Sequence, residues 1–293
     1  MTSYPAKLFL IGEYSVLLGS EALAFPLNSK TLEWVYSKAA PAFDFNSFIA
    51  FLNRHEALSG MLDLEQLNED ISNHFIPDIN IPLAYGMGSS GALCASILHR
   101  YSMDSNLRVE KIHEILILME SYFHGHSSGL DPLISFYNCP IHLRSNGEYK
   151  FLHSSYKNQL KNYPLYLLDS GKQRNTHEYV AIFKDKIINS AYKSRIQNEL
   201  IPLNDAIIRS FLSNDTKKFI ELWKSISQLS FLLFDEMIPE PLKSIWAEGL
   251  KSGAYYLKLC GAGGGGYFLV LPIQEKKFAK KIQLASIPIL SCS

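Results

Sequence analysis

The spacing of apolar positions changes several times along this chain, and each change marks an element. "AKLFLIGEYSVLL" holds two apolar runs parted at Gly12 and reads as two short strands. In "TLEWVYS", Leu32, Trp34 and Tyr36 alternate with their neighbours, the period of a strand with one buried face. "FDFNSFIAFLNRHEAL" reads as a helix, and "DINIPLAYG" as a strand running into a glycine loop. An apolar helix is expected over residues 91–101, with Leu93, Ile97 and Leu98 on its buried side. In "RVEKIHEILILMESYFHG" the residues Ile112, Ile115, Leu116, Met119, Tyr122 and Phe123 keep a helical period, and Gly125 ends it. "PIHLRSNGEYKFLH" sets Asn146-Gly147 between two extended runs, a hairpin signal.

From Lys157 to Asn162 the chain turns polar, and a boundary there divides it into domains 1–157 and 158–293. The second part opens on a strand, "YPLYLLDSG". Helical stretches follow at about 180–213 and 216–233, then a helix from about Pro239 to Lys251. "AYYLKLCGAGGGGYFLVL" reads as strand, glycine loop, strand.

Composition narrows the function classes. A chain of 293 residues is long enough for two cores. Its 28 basic and 28 acidic side chains cancel, which disfavours a general nucleic-acid or anionic-membrane surface but leaves room for one local anion site. Cys94, Cys139, Cys260 and Cys292 show no CxxC spacing, so neither a structural zinc site nor a disulfide framework is expected. The early run "LFLI" is too short for a signal peptide, and no uncharged apolar segment is long enough to span a bilayer. A reducing cytoplasm, with neither a nucleic-acid nor a membrane partner, is the resulting expectation.

Four places could carry chemistry. "PLAYGMGSSGALCASIL" strings Gly86, Met87, Gly88, Ser89, Ser90 and Gly91 ahead of a helix. No Gly-Lys-Ser/Thr follows, so this is not a Walker loop, and no acidic ribose partner supports a dinucleotide fold. What remains is a helix start with bare amides that could cradle phosphates and a hydroxyl, on Ser89 or Ser90, that could meet Mg²⁺. The plain alternative is a serine N-cap. In "ESYFHGHSSGLDPLIS", Glu120 lies on the edge of the apolar helix face, about 40° round from Leu116. It is either a rim residue or a ligand aimed into a cleft. Asp131 precedes Pro132, which favours an extended conformation there, and it could equally be an Asx-turn residue. The glycines from Gly261 to Gly266 sit between two runs that want burial, which favours a packed turn over a linker. Lys7, a cation in an apolar strand, must meet an anion or reach solvent.

Together these pieces resemble the GHMP family of small-molecule kinases. "PLAYGMGSSG" is similar to that family's Pro-x-x-x-Gly-Leu-Gly-Ser-Ser-Ala pattern, with Met87 for Leu and Gly91 for Ala. "KLCGAGGGG" resembles its Lys-Leu-Thr-Gly-Ala-Gly-Gly-Gly-Gly motif, with Cys260 for Thr, and "AKLFLIGEYSVLLG" its N-terminal motif. "HGHSSGLD" resembles the His-Gly-x-Pro-Ser-Gly-x-Asp segment of the mevalonate kinase branch, with Ser127 for Pro. "SGKQRNT" resembles a segment of the same branch, with a Lys and an Arg-x-Thr. The triplet Gly12-Glu13-Tyr14, where that branch has Gly-Glu-His, is closer to phosphomevalonate kinases.

The resemblance implies a two-domain α/β (α+β) GHMP kinase fold, with a ribosomal-protein-like N-terminal half and a ferredoxin-like C-terminal half. It implies ATP and Mg²⁺ as cofactors and a small carboxylate-bearing alcohol as substrate, mevalonate first. Phosphomevalonate is the alternative, and Lys172 and Arg174 could meet its extra phosphate. A diphosphomevalonate decarboxylase or a non-catalytic nucleotide binder ranks lower, and a homodimer stays open. In this assignment Gly86 to Gly91 hold the nucleotide, while Ser90 and Glu120 hold the metal. Asp131 and Lys7 are catalytic, and Glu13, Tyr14, Gly261, Ala262 and Gly263 face the substrate.

Overall fold

A computed structural model describes residues 2–153, 155–274 and 286–288. The chain clusters into two units: residues 1–7, 26–82 and 87–139 form one, and residues 8–25, 83–86 and 140–293 the other. The second unit therefore begins at Pro140, takes in two earlier segments, and contains the polar stretch at which the sequence suggested a boundary. The chain passes between units at Lys7–Leu8 and again at Gly86–Met87.

Strand β1 (Ser3–Ile11) and strand β2 (Ala22–Tyr36) contribute to both units. The turn between them corrects one expectation. "SVLL" is a short 3₁₀ turn over Ser15–Leu18, not a second strand. Gly12 reverses the chain at φ +115°, with Ala22 backbone so close that a Cβ would lie 2.8 Å from its Cα, and Tyr14 follows at φ 60°. A four-residue apolar run cannot by itself tell strand from turn.

In the first unit, helices α1 (Phe45–Arg54), α2 (Glu56–Ser59) and α3 (Leu64–Ser72) lead to strand β3 (Phe75–Ile79). β3 pairs antiparallel with β2, Leu32 opposite Ile79 and Tyr36 opposite Phe75. It ends before the glycine loop rather than running into it. Helices α4 (Ser89–Tyr101), α5 (Val109–His124) and α6 (Leu130–Tyr137) then pack on one another. α4 buries nearly its whole length, Ser90 to Leu98 without a break, so it is a central helix rather than an amphipathic surface one. The middle helix, α5, buries Ile112, Ile115, Leu116 and Met119 as its period requires.

The second unit opens on the hairpin β4 (Ile141–Leu143) and β5 (Tyr149–Phe151), with β4 laid on Ala22–Ala24 of β2. After α7 (Ser155–Gln159) comes β6 (Tyr166–Asp169). The helical stretch expected over 180–213 is divided. α8 (Thr176–Lys186) stops, Asn189 accepts the Tyr192 N–H at 3.1 Å to start α9 (Ser190–Arg195), and a π turn leads into α10 (Ile201–Leu212). α11 (Thr216–Leu233) and α12 (Glu240–Ser252) lie close to their expected limits. Strands β7 (Tyr255–Leu259), β8 (Tyr267–Pro272) and β9 (Ser286–Pro288) complete an antiparallel sheet in the order β7-β8-β6-β9. Both β7 and β8 are buried on both faces, beneath the fully buried Trp223 and Trp246 of α11 and α12. Each such side chain contributes about 1.5–3 kcal/mol of apolar burial, which places the core of this unit here.

Among the described residues no helix is long and apolar enough to cross a membrane. Cys292 lies outside the described residues.

Candidate active site

The first unit assembles a charged cluster around the start of α4. Gly88 is the residue before the helix, at φ 73°, and no side chain caps it. Ser89 opens the helix, and the serine N-cap alternative does not apply. A thirteen-residue helix with uncapped first-turn amides has the polarity to attract an anion. Two features keep side chains away from this point. A Cβ on Gly88 would lie 3.3 Å from Lys7 Cβ, and one on Gly91 would lie 2.8 Å from the backbone nitrogen of Pro132.

Lys7 finds its anion within the same unit. Its Nζ lies 2.8 Å from Asp131 Oδ2, while its backbone N–H donates to Met87 O at 2.8 Å. The loop before α4 is thereby tied to the strand that carries the ammonium. The backbone of Asp131 departs from expectation: it sits in the first turn of α6, neither extended nor in an Asx turn. Proline is tolerated in a first helical turn because its missing N–H would have no partner there, and this outweighs its bias on the preceding residue.

Glu120 is buried, only 4% exposed, on the inward side of α5. Burial and the neighbouring Asp131 carboxylate push its carboxyl up to about 7, against the pull of the Ser127 hydroxyl, the Lys7 ammonium and the Ser90 hydroxyl. Ser127 donates a hydrogen bond to Glu120 Oε2. The Ser90 hydroxyl, itself buried, lies 3.0 Å from His124 Nε2. Ser89, the other candidate, is half-exposed. His124 and Ser127 are contacts that sequence reasoning missed, since neither residue type signals a partner by spacing.

This donor set fits a divalent cation. Two neighbouring carboxylates and a buried hydroxyl are hard oxygen ligands, and a carboxylate held up by burial is one that a cation would ionise. Among the described residues no group of three or more His, Cys, Asp or Glu side chains forms a metal site by itself.

The raised Glu120 carboxyl has a consequence for stability. A folded-state value above the unfolded one favours the protonated group, so its contribution is complete below about pH 4.5 and is lost as pH rises through about 7. Without metal, the wild type is expected to lose roughly 3 kcal/mol more than Glu120→Gln between pH 5 and pH 8. Urea unfolding of both proteins checks this, and parallel pH dependences would show that Glu120 titrates as an ordinary surface carboxylate.

The second unit holds the remaining candidates. Glu13 and Lys258 form a buried ion pair, with Lys258 Nζ also donating to Leu259 O at 2.8 Å. Burial raises the Glu13 carboxyl, while Lys258 and the backbone N–H groups of Glu13 and Gly261 oppose it. The Tyr14 hydroxyl donates to Ala262 O at 2.5 Å, and its ring packs against Phe183 and Phe234 at 4.7 and 5.1 Å between centroids.

Arg174 is buried beside the same turn. Its backbone N–H donates to Ala84 O and its Nη1 to Cys260 O, each at 3.0 Å. A Cβ at Gly86 would overlap the guanidinium, and one at Gly261 would lie 2.6 Å from Nη2. Lys172 is exposed. The glycine run is a packed turn: Gly264 N–H donates to Met237 O at 2.6 Å, Gly266 N–H to Lys172 O at 2.7 Å, and Gly263 fits against Met237 and Leu259. Thus Glu13, Tyr14, Gly261, Ala262, Gly263 and Gly86 gather in the second unit, and Lys7, Met87, Gly88, Ser89, Ser90, Gly91, Glu120 and Asp131 in the first.

The family model for the GHMP kinases N terminal domain matches residues 57–138. A mevalonate kinase of Pyrococcus abyssi is 24% identical over 330 aligned positions, which cover 97% of this chain and 92% of the relative. The solved mevalonate kinase of L. major in complex with R-mevalonate has a similar fold, with a TM-score of 0.65 at 20% identity over 96% of this chain and 90% of that one. So does the phosphomevalonate kinase of Streptococcus pneumoniae in complex with phosphomevalonate and AMPPNP, with a TM-score of 0.62 at 18% identity over 99% and 98%. Residues 57–138 thus match the GHMP kinases N terminal domain, and nearly the whole chain is similar in sequence to mevalonate kinases and in fold to mevalonate and phosphomevalonate kinases.

Proposed function

We propose that this chain is an ATP-dependent phosphotransferase that transfers the γ-phosphoryl group to the hydroxyl of mevalonate. The observation that carries the reading is the Lys7–Asp131 pair, 2.8 Å apart, beside an uncapped helix start and a buried carboxylate. Phosphoryl transfer asks a protein mainly for positioning and for charge neutralisation. The amides of Gly88 to Gly91 bind phosphate oxygens. Ser90 and Glu120 would hold Mg²⁺, which would supply charge neutralisation for those phosphate oxygens. Asp131 orients the acceptor hydroxyl and takes its proton late, and Lys7 fixes Asp131 while offsetting charge on the group in transit. Glu13, Tyr14, Arg174 and the 261–263 turn are assigned to the substrate end.

The relatives named mevalonate kinase, aligned over 97% of this chain, support mevalonate as acceptor. The triplet Gly12-Glu13-Tyr14 supports phosphomevalonate as a second reading. ADP release from ATP·Mg²⁺ with mevalonate, phosphomevalonate, homoserine and galactose, each in turn, separates them. Turnover with mevalonate alone is expected. Preference for phosphomevalonate would move the assignment to the second reading, and ADP release with no acceptor in the panel would sink both.

A further inference from the structure

We propose that Ser127 is a positioning residue for the metal. Its hydroxyl holds one oxygen of the Glu120 carboxylate and leaves the other to the cation. This rests on the reading above, in which Glu120 binds Mg²⁺.

The hydrogen bonds fix the direction of the hydroxyl proton. Ser127 Oγ accepts the N–H of Gly129 at 2.8 Å, so its own proton is the one donated to Glu120 Oε2. Gly129 precedes the first residue of α6, the helix whose first turn carries Asp131. One hydroxyl thus links the metal carboxylate of α5 to the start of the helix bearing the catalytic carboxylate.

The turn is also fixed from its other side. His113 Nε2 lies 2.7 Å from Ser128 O, and a Cβ on Gly129 would come within 2.6 Å of the His113 ring. Ser127 is therefore seated by backbone contacts before any ligand arrives. A carboxylate with one oxygen already engaged has fewer orientations to lose when it binds a cation, the usual service of a group behind a metal ligand. A competing account makes Ser127 a plain turn residue whose only task is to accept the Gly129 N–H. The two accounts differ in what Glu120 would notice.

Mn²⁺ is a suitable probe, because free Mn²⁺ is read directly by electron paramagnetic resonance. Its affinity is measured with ADP present for the wild type, Ser127→Ala, Ser127→Thr and Glu120→Gln, and ADP affinity is measured without metal. Ser127→Ala is expected to weaken Mn²⁺ about tenfold, at the low end of the range for losing such a partner, and to leave metal-free ADP affinity unchanged. Ser127→Thr, which keeps the hydroxyl, is expected to restore most of that loss. If the alanine variant does not fold, Ser127→Cys, which keeps the size and weakens the donor, takes its place.

Mn²⁺ affinity unchanged in Ser127→Ala but lost in Glu120→Gln would overturn the role of Ser127 and leave the metal reading standing. Equal losses in the alanine and threonine variants would also overturn it, because packing rather than the hydroxyl would then be responsible. A Glu120→Gln protein that binds Mn²⁺ like the wild type would remove the metal reading, and this proposal with it.

Discussion

Asp131→Asn is expected to lower turnover by roughly 10²–10⁴-fold, the usual range for lost acid–base assistance, and to leave ATP affinity nearly unchanged. The amide keeps the size of the carboxylate, so the first turn of α6 has no cause to move. What it loses is the charge that Lys7 Nζ holds at 2.8 Å and the capacity to accept a proton. Lys7 is 10% exposed and Asp131 32% at their side chains, so the pair is neither sealed off nor free in water. Lys7→Met is expected to cost a comparable factor. Because each residue depends on the other, the double variant is expected to lose far less than the product of the two single losses. Steady-state kinetics of the four proteins decide this. Multiplicative losses would show two independent roles, and near-normal turnover in Asp131→Asn would end the catalytic assignment.

Lys258→Met is expected to destabilise the fold by about 3–5 kcal/mol, the cost of leaving one partner of a buried ion pair behind. Lys258 is 1% exposed and Glu13 8%. The ammonium donates to Glu13 and to Leu259 O, and lies 5.9 Å from the centre of the Trp223 ring. Without it the carboxylate faces an apolar interior. The protein's way out is to protonate Glu13, which raises its carboxyl further than burial already does. That sets the sign of the pH dependence: the loss is expected to be smaller at pH 5 and to grow toward pH 8, as the unfolded chain gives up its proton and the folded one resists. Adding Glu13→Gln to Lys258→Met is expected to recover much of the stability at pH 8. Urea midpoints of the two variants at both pH values test this, and a Lys258→Met protein as stable as the wild type at pH 8 would show that Glu13 has another counter-charge.

Much of the fold was legible because apolar period and punctuation agree over long stretches. α5 runs Val109–His124 and stops at Gly125, and α11 runs Thr216–Leu233, both close to what the sequence implies. Agreement fails where a short apolar run meets a special backbone. "SVLL" turns instead of extending because Gly12 and Tyr14 both sit at positive φ. The 180–213 stretch breaks because Asn189 offers a side-chain oxygen as a new helix start, a signal weaker than the apolar period around it.

In the candidate site, the logic that singled out Lys7 applies equally to Lys258 within "YYLKL". A lone ammonium in a buried strand demands an anion, and the sequence alone could have raised that demand. Which anion answers it could not be read, since Glu13 lies 245 positions away. Ser127 and His124 were illegible for a different reason. A hydroxyl seven positions or an imidazole four positions from a carboxylate is common; only the fold of the 125–130 turn brings Ser127 to Glu120, and only the packing of α4 on α5 brings Ser90 to His124.

The seat of Arg174 has a consequence for how this sequence can change over time. Its guanidinium occupies the space that a methyl group would need at Gly86, and presses on Gly261 as well. Positions 86 and 174 therefore do not drift independently. Gly86→Ala in the present background meets the guanidinium, and at φ +69° it also carries a backbone strain that a smaller residue at 174 does not relieve. The two routes to one double variant are unequal: the large residue at 174 must shrink before the small one at 86 can grow. A lineage that lost the arginine and then accepted a strained side chain at 86 could not regain the arginine until glycine returned there, so that second step would work as a ratchet.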